Sequence, residues 1–358
     1  MMTKEERLTM LRELCLAFGP TGCEEYVAKL ICEKLDALGY EHKIDRMGNV
    51  IVHIPAENKK KLMVSAHMDE VGFIINDITD DGYLKICALG GIDPRVMCGK
   101  HVTVEGKDGN FISGVIASKA IHHQTPEERQ AVTPIKSMYI DIGATSRDRA
   151  NELTSVGNSA TFDSAFVLYG ENEGFIKSKA IDDRLGCAGM LYVLDLIKGK
   201  ELNVDLYFCF TVREEIGLSG ARTAAQAIEP DYSIVLESTA VADLPDVPES
   251  RRVAKLGNGG AISLRDRSTI YDRSFVDFTM KLAEKENIPA QYKCYVSGGN
   301  DAGHIHKSNK GVACLAISAP SRYIHSPACV VSKDDYFSIC DLLYAIIENF
   351  DFEEINNA

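Results

Sequence analysis

Short apolar runs in this chain stop abruptly at residues that bind metals or move protons. Residues 63–66 lead into His67-Met68-Asp69, residues 208–212 into Arg213-Glu214-Glu215, and residues 234–236 into Glu237. Runs of this length and composition read as buried strands. Stretches with helical spacing lie around them. Leu8, Leu11, Leu14 and Phe18 form one, with Thr3 placed to cap its start and Gly19-Pro20 to stop it. Val27, Leu30, Ile31, Leu35 and Leu38 form a second, closed by Gly39. A helix starting near Asp182-Asp183 runs through Leu191, Leu194 and Ile197, a short one starts at Ser219, and others carry Phe275, Phe278 and Leu282 and residues 336–347. Strands at 50–52, 61–66, 204–212, 233–236 and 312–317 alternate with these helices. The alternation predicts an α/β fold, a mainly parallel sheet flanked by helices on both faces.

Between residues 73 and 164 the helical period disappears. Residues 101–104 and 111–116 flank Gly106-Lys107-Asp108-Gly109-Asn110, a hairpin connection, and 138–142 is a further strand. The charged stretch 125–130 reads as a surface loop. The expected organisation is therefore a main domain from residues 1–72 and 165–358, with a β-rich module at 73–164 inserted into it.

Charge and cysteine usage narrow the partners. The 52 acidic residues outnumber the 39 basic ones for a net charge of −13, which argues against nucleic-acid or anionic-membrane binding. The eleven cysteines form no C-x-x-C pair and sit mostly in apolar runs, as Cys209 does, so they read as reduced core thiols. Lys4, Glu5, Glu6 and Arg7 leave no room for a secretory apolar segment, and no apolar stretch approaches a membrane span. The expected setting is cytoplasmic.

Ligands of an open α/β sheet bind beyond the carboxyl ends of its strands. His67, Glu214-Glu215 and Glu237 follow such ends, Asp182 stands at a helix start, and His325 follows the last strand. Two histidines and several carboxylates make a nitrogen and oxygen set suited to zinc, cobalt or manganese rather than a thiolate site. His67 and Asp69, two apart on extended backbone, share a face, so Asp69 is placed to orient His67. Adjacent Glu214 and Glu215 point apart, leaving one free for a metal and the other for water. Singly, each has an ordinary alternative: a satisfied structural histidine, an exposed acidic pair, aspartates capping a helix.

Taken in order, His67-Met68-Asp69, Ala180-Ile181-Asp182-Asp183-Arg184, Arg213-Glu214-Glu215-Ile216-Gly217, Glu237 and Tyr323-Ile324-His325-Ser326-Pro327 are more specific. They closely resemble the tetrahedral (TET) aminopeptidase family of two-metal exopeptidases, which includes glutamyl and deblocking aminopeptidases and some relatives labelled endoglucanases. The resemblance extends through Asp141-Ile142-Gly143-Ala144 and Gly298-Gly299-Asn300-Asp301-Ala302. It implies a zinc-exopeptidase-like domain with an inserted small β-barrel or PDZ-like dimerisation module. It also implies two divalent ions, zinc, cobalt or manganese: His67 and Glu237 on one, Glu215 and His325 on the other, Asp182 bridging. Glu214 becomes the general base and proton shuttle, with Asp69 supporting His67. The substrates implied are short peptides cut at their N-termini, and the assembly is a homo-oligomer, at least a dimer and up to a tetrahedral dodecamer. A histidine in the region of His122-His123 is implied to reach a neighbouring active site. Two positions depart from the family: Glu237 replaces a commoner aspartate, keeping the carboxylate, and Asn300 replaces a commoner threonine.

The same metals and base serve a deacylase or amidase, and a non-catalytic assembly protein is the alternative from another class. The glycine-rich 257–260 and 297–299 fit no phosphate-loop spacing and read as turns. His304 and His306 have strand-like spacing. Arg322 has two readings, a partner for an acidic substrate side chain or for a structural carboxylate.

Overall fold

The structure is a computed structural model that describes residues 1–357. Its main sheet has eleven strands. The path runs His42–Ile44, Val50–Ile54, Asp205–Thr211, Lys61–His67, Tyr232–Ala240, Ala313–Arg322, Cys329–Ser332, Phe175–Ser178 and Val167–Tyr169. Gly260–Ser263 pairs with Ala313–Arg322 off this path, and Ala290–Lys293 pairs with Gly260–Ser263. The centre, Asp205–Thr211 through Ala313–Arg322, is parallel. The flanking strands along the margins of that path are antiparallel, so the sheet is mixed. Those margins include short strands without a clear period, such as Cys329–Ser332, which is why the sequence pattern shows mainly the parallel centre.

Helix Lys4–Leu16 starts where expected: the Thr3 hydroxyl accepts from the Glu6 amide while the Glu6 carboxylate accepts from that of Thr3. Helix Glu25–Leu38 ends at Gly39, whose φ of 79° suits glycine. Helix Ile181–Ile197 is buried along most of its length and packs against Lys61–His67 and Tyr232–Ala240. Helices Lys4–Leu16 and Lys333–Glu348 cover it in turn. Ser219–Ile228 packs on Asp205–Thr211, and Arg273–Lys285 on Ala313–Arg322.

Strands Gly72–Ile78, Leu84–Leu89, Tyr139–Asp141, Phe111–Ala117, His101–Glu105 and Ser159–Phe162 follow one another around a closed barrel. Phe73 opposite Ala160 closes it. The barrel has its own core, including Phe73, Ile86, Val102, Ile116, Ile140 and Phe162. The hairpin expected around residues 106–110 is present. The 125–130 stretch, expected as a loop, is instead the short helix Pro126–Gln130. Thr125 caps it and Glu128 returns the bond, a local signal that outweighs its few apolar residues.

Candidate active site

Parallel pairing brings the carboxyl ends of the central strands to one rim. His67 closes its strand opposite Thr211, and Glu237 lies opposite Ser318. Glu237 is inside strand Tyr232–Ala240 rather than after its end, because the strand continues through Ser238, Thr239 and Ala240. His325 follows strand Ala313–Arg322 in a turn where Tyr323 and His325 adopt φ of 56° and 58°. Ala180 and Arg213, beside Asp182 and Glu214, are also left-handed at 53° and 57°. Such residues gather where a site dictates the backbone.

The two histidines are held alike. His67 Nδ1 lies 3.0 Å from the Asp69 carbonyl oxygen, and His325 Nδ1 lies 2.8 Å from that of Gly91. A carbonyl only accepts, so Nδ1 carries the proton and Nε2 presents its lone pair. His67 Nε2 is 3.3 Å from Asp182 Oδ1 and 3.6 Å from Glu237 Oε1. His325 Nε2 is 3.1 Å from Asp182 Oδ2 and 3.2 Å from Glu215 Oε1. Asp182 thus turns one oxygen to each histidine. Glu214 joins the cluster, its carboxylate together with donor atoms of His67 and Glu215 lying within 4.8 Å of one another.

Asp69 is fully buried and does more than face His67. Its Oδ1 accepts the Glu214 amide at 3.0 Å, and its Oδ2 accepts the Glu215 amide at 3.1 Å and the Thr21 hydroxyl at 2.7 Å. Its carboxylate stands 3.4 Å from His67 Nδ1, farther than its own carbonyl oxygen. Asp183 accepts from the His67 and Gly186 amides, tying the Asp182 turn to the His67 strand. Behind it, the Glu70 carboxylate takes Lys179 Nζ at 2.6 Å and Arg184 Nη2 at 3.4 Å, and Thr161 of the barrel at 2.8 Å.

The electrostatics demand positive charge. Burial and then the Asp182 charge push Glu237 up to about 8. Burial opposes protonation of His325, yet Asp182 and Glu215 outweigh it and carry the imidazole up to about 11. Burial, Glu237 and Glu215 raise Glu214 well above the usual carboxylate range, against the charge of His67. Among the described residues, Glu215 Oε1 is buried without a hydrogen-bond donor. With Nδ1 protonated, each Nε2 faces carboxylate oxygens, acceptor against acceptor. Such an arrangement requires a proton or a cation between them, and this nitrogen and oxygen donor set fits a divalent metal.

The family model described as M42 glutamyl aminopeptidase matches residues 48–342. The chain belongs to the M42 peptidase family. It is accordingly a hydrolase of an aminopeptidase family. Its fold matches a TET aminopeptidase from Thaumarchaeota archaeon SCGC AB-539-E09 with a TM-score of 0.94, 32% identity and 99% of each chain covered. The TET1 peptidase of Pyrococcus horikoshii, which can assemble into a tetrahedron or a large octahedral shell, matches with a TM-score of 0.85 and 30% identity over 97% of this chain and 100% of that one. A lysyl aminopeptidase of Pyrococcus furiosus is 29% identical over 95% of this chain and 96% of its own.

Other sequence candidates fall outside the M42 cluster. Arg322 is committed to Asp243 through bonds of 2.7 and 2.8 Å. His304 lies in the helical turn Ala302–Ile305 and His306 at its end, so their spacing is not that of a strand. His306 Nδ1 bonds the Ala302 carbonyl at 2.6 Å. His122 and His123 are exposed beside the barrel. Sequence reading missed the Glu70 network, the Thr21 bond and Asp301. Burial lifts the Asp301 carboxyl to about 6 against the Thr211 hydroxyl bond. The Gly298–Ala302 motif signalled that segment without disclosing its partner.

Proposed function

We propose that this M42 chain is a co-catalytic two-metal aminopeptidase that removes N-terminal residues from short peptides. The observation that carries the reading is Asp182, its two oxygens divided between His67 and His325. In this reading His67 and Glu237 would hold one ion and Glu215 and His325 the other, with Asp182 available to both. Two such ions, zinc, cobalt or manganese, would supply Lewis acidity for the scissile carbonyl and an acidified water.

The chain's own residues do the rest. Glu214, whose carboxylate joins the cluster beside His67 and Glu215, takes a proton from water and returns it to the departing amine. Asp69 holds the backbone amides of both Glu214 and Glu215, and the two carboxylates, expected to point apart, instead come within 4.8 Å of each other beside His67. The backbone acceptors at Asp69 and Gly91 keep both Nε2 atoms facing the cluster. Carboxylates at this end wall attract the free ammonium of a peptide N-terminus, which supports exopeptidase action.

Assembly as a homo-oligomer, at least a dimer and up to a tetrahedral dodecamer, belongs to the same reading. Phe111, Val115, Ile121 and Val132 are exposed in the 73–164 region, the proposed dimerisation insert of a main domain made of 1–72 and 165–358. A cytoplasmic setting is supported by eleven free thiols. No helix of the described residues is long and apolar enough to cross a membrane.

The test strips the purified protein of metal, restores zinc, cobalt or manganese separately, and measures aminoacyl and N-acetylated aminoacyl anilides with Glu214→Gln as control. Metal-dependent release from free-amine substrates, lost in the variant, supports the aminopeptidase. Cleavage of the acetylated series alone assigns a deacylase or amidase instead.

A further inference from the structure

Lys293 is 5% exposed, yet among the described residues its ammonium makes no hydrogen bond or ion pair. A buried ammonium is costly unless paired, so its position calls for an account. Strand register supplies its location. Glu237 lies opposite Ser318, and Ser318 opposite Ala261. Ala261 and Ser263 are two apart, and Ser263 lies opposite Lys293. Residues opposite one another share a face, as do residues two apart. Lys293 therefore shares a sheet face with Glu237, reached across neighbouring strands. The other face is taken: a Cβ on Gly260 would lie 3.1 Å from Ile339 of helix Lys333–Glu348.

The surroundings of Lys293 are polar and uncommitted. The buried hydroxyls of Ser318 and Ser263, on the same face, have no hydrogen-bond partner among the described residues. Asp266 is the nearby carboxylate with a counter-charge, but its oxygens already accept the Ser268 and Thr269 amides and the Tyr271 hydroxyl. Burial pushes the Lys293 amine down, with Asp266 and Glu237 opposing it. The loop from Ser297 to Gly299 runs alongside. Ser297 bonds the Ala240 carbonyl at 3.1 Å, just beyond Glu237 in its strand, and a Cβ on Gly299 would lie 3.9 Å from Asp266 Oδ1.

We propose that Lys293 is the specificity-determining residue for the substrate's first side chain, and that this chain prefers peptides beginning with glutamate or aspartate. The proposal rests on the aminopeptidase reading and deepens it. With the α-amino group at the carboxylate wall, the first side chain extends along the sheet face from Glu237 towards Lys293. The Ser318 and Ser263 hydroxyls donate to its carboxylate beside the ammonium. Arg322, the other cation with a reading as a partner for an acidic side chain, is occupied by Asp243. The family description and the lysyl relative name opposite side-chain charges, so membership alone does not decide the preference.

The experiment compares glutamyl with isosteric glutaminyl anilide on the metal-loaded full-length enzyme, beside leucyl and lysyl anilides. Calorimetric binding of L-glutamate against L-glutamine, the corresponding products, gives a readout independent of turnover. Wild type should favour glutamyl over glutaminyl in kcat/KM by about 10-fold or more, the worth of a charge-assisted contact. Lys293→Met should bring that ratio near unity, chiefly by lowering kcat/KM for glutamyl substrate, and abolish the L-glutamate preference. Lys293→Glu should turn selection towards lysyl. An equal wild-type response to glutamyl and glutaminyl substrates overturns the proposal and needs no variant. A glutamyl preference that survives Lys293→Met in a protein with unchanged melting overturns it too. Turnover of other free-amine anilides would then leave the aminopeptidase reading standing, whereas no turnover of any overturns both.

Discussion

Glu70 offers the most demanding stability test because its charge serves two buried cations at once. Lys179 is 4% exposed and Arg184 fully buried, and both contact Glu70 Oε1. Glu70→Gln keeps the shape and an acceptor for the Thr161 hydroxyl but removes the counter-charge. Breaking a buried pair by removing one partner costs about 3–5 kcal/mol. The lower end applies, since Lys179 keeps the Ala17 carbonyl at 3.0 Å and Arg184 keeps those of Leu14 at 2.6 Å and Gly19 at 3.1 Å. For 358 residues unfolding cooperatively, ~3 kcal/mol corresponds to a fall in Tm of roughly 4 °C. Scanning calorimetry reads this directly. Lys179→Met should also cost about 2 kcal/mol less in the Glu70→Gln background than in wild type. A variant melting within about 1 °C of wild type, or strictly additive costs, would refute the reasoning.

Three further outcomes follow from local geometry. A Cβ at Gly186 would lie 2.5 and 2.7 Å from the Asp183 carboxylate oxygens, so Gly186→Ala should cost about 1–3 kcal/mol by denaturant titration and weaken metal retention. Asp335, whose carboxyl burial lifts to about 6 against the Gly257 and Gly259 amides, holds its proton more tightly folded than unfolded. Its contribution is greatest below about pH 4 and is lost as pH rises through about 6, a swing of up to ~3 kcal/mol that Asp335→Asn should remove from the stability profile. Arg322→Ala, which leaves the buried Asp243 carboxylate without its ion-pair partner, should cost about 1–3 kcal/mol and leave the glutamyl-to-glutaminyl ratio unchanged in kinetic assays.

The parts legible in the sequence were those written locally. Helix Lys4–Leu16 carries both its apolar period and its capping box within the first residues. His67 and the Glu214-Glu215 pair were visible because apolar strands end just before them, and the structure gathers them with Asp182, Glu237 and His325. What stayed hidden depends on long-range contact. Lys179 reaches Glu70 across 109 residues of chain, and Arg184 takes carbonyls from a helix and turn about half the chain away. Lys293 sits on a four-residue strand whose importance appears only through the register of its neighbours. Short marginal strands such as Phe175–Ser178 exist because Cys329–Ser332 offers them an edge, not because their own pattern demands it.

The central claim is that Asp182 joins two metal ions. Stripped protein titrated with zinc or cobalt, with bound metal counted by mass spectrometry and anilide turnover measured on the same samples, tests it most directly. Two ions per chain are expected, with activity that rises as they bind and loss of that stoichiometry in Asp182→Ala. A wild type that saturates at one ion, or an Asp182→Ala protein that still binds two and turns over substrate, would contradict it.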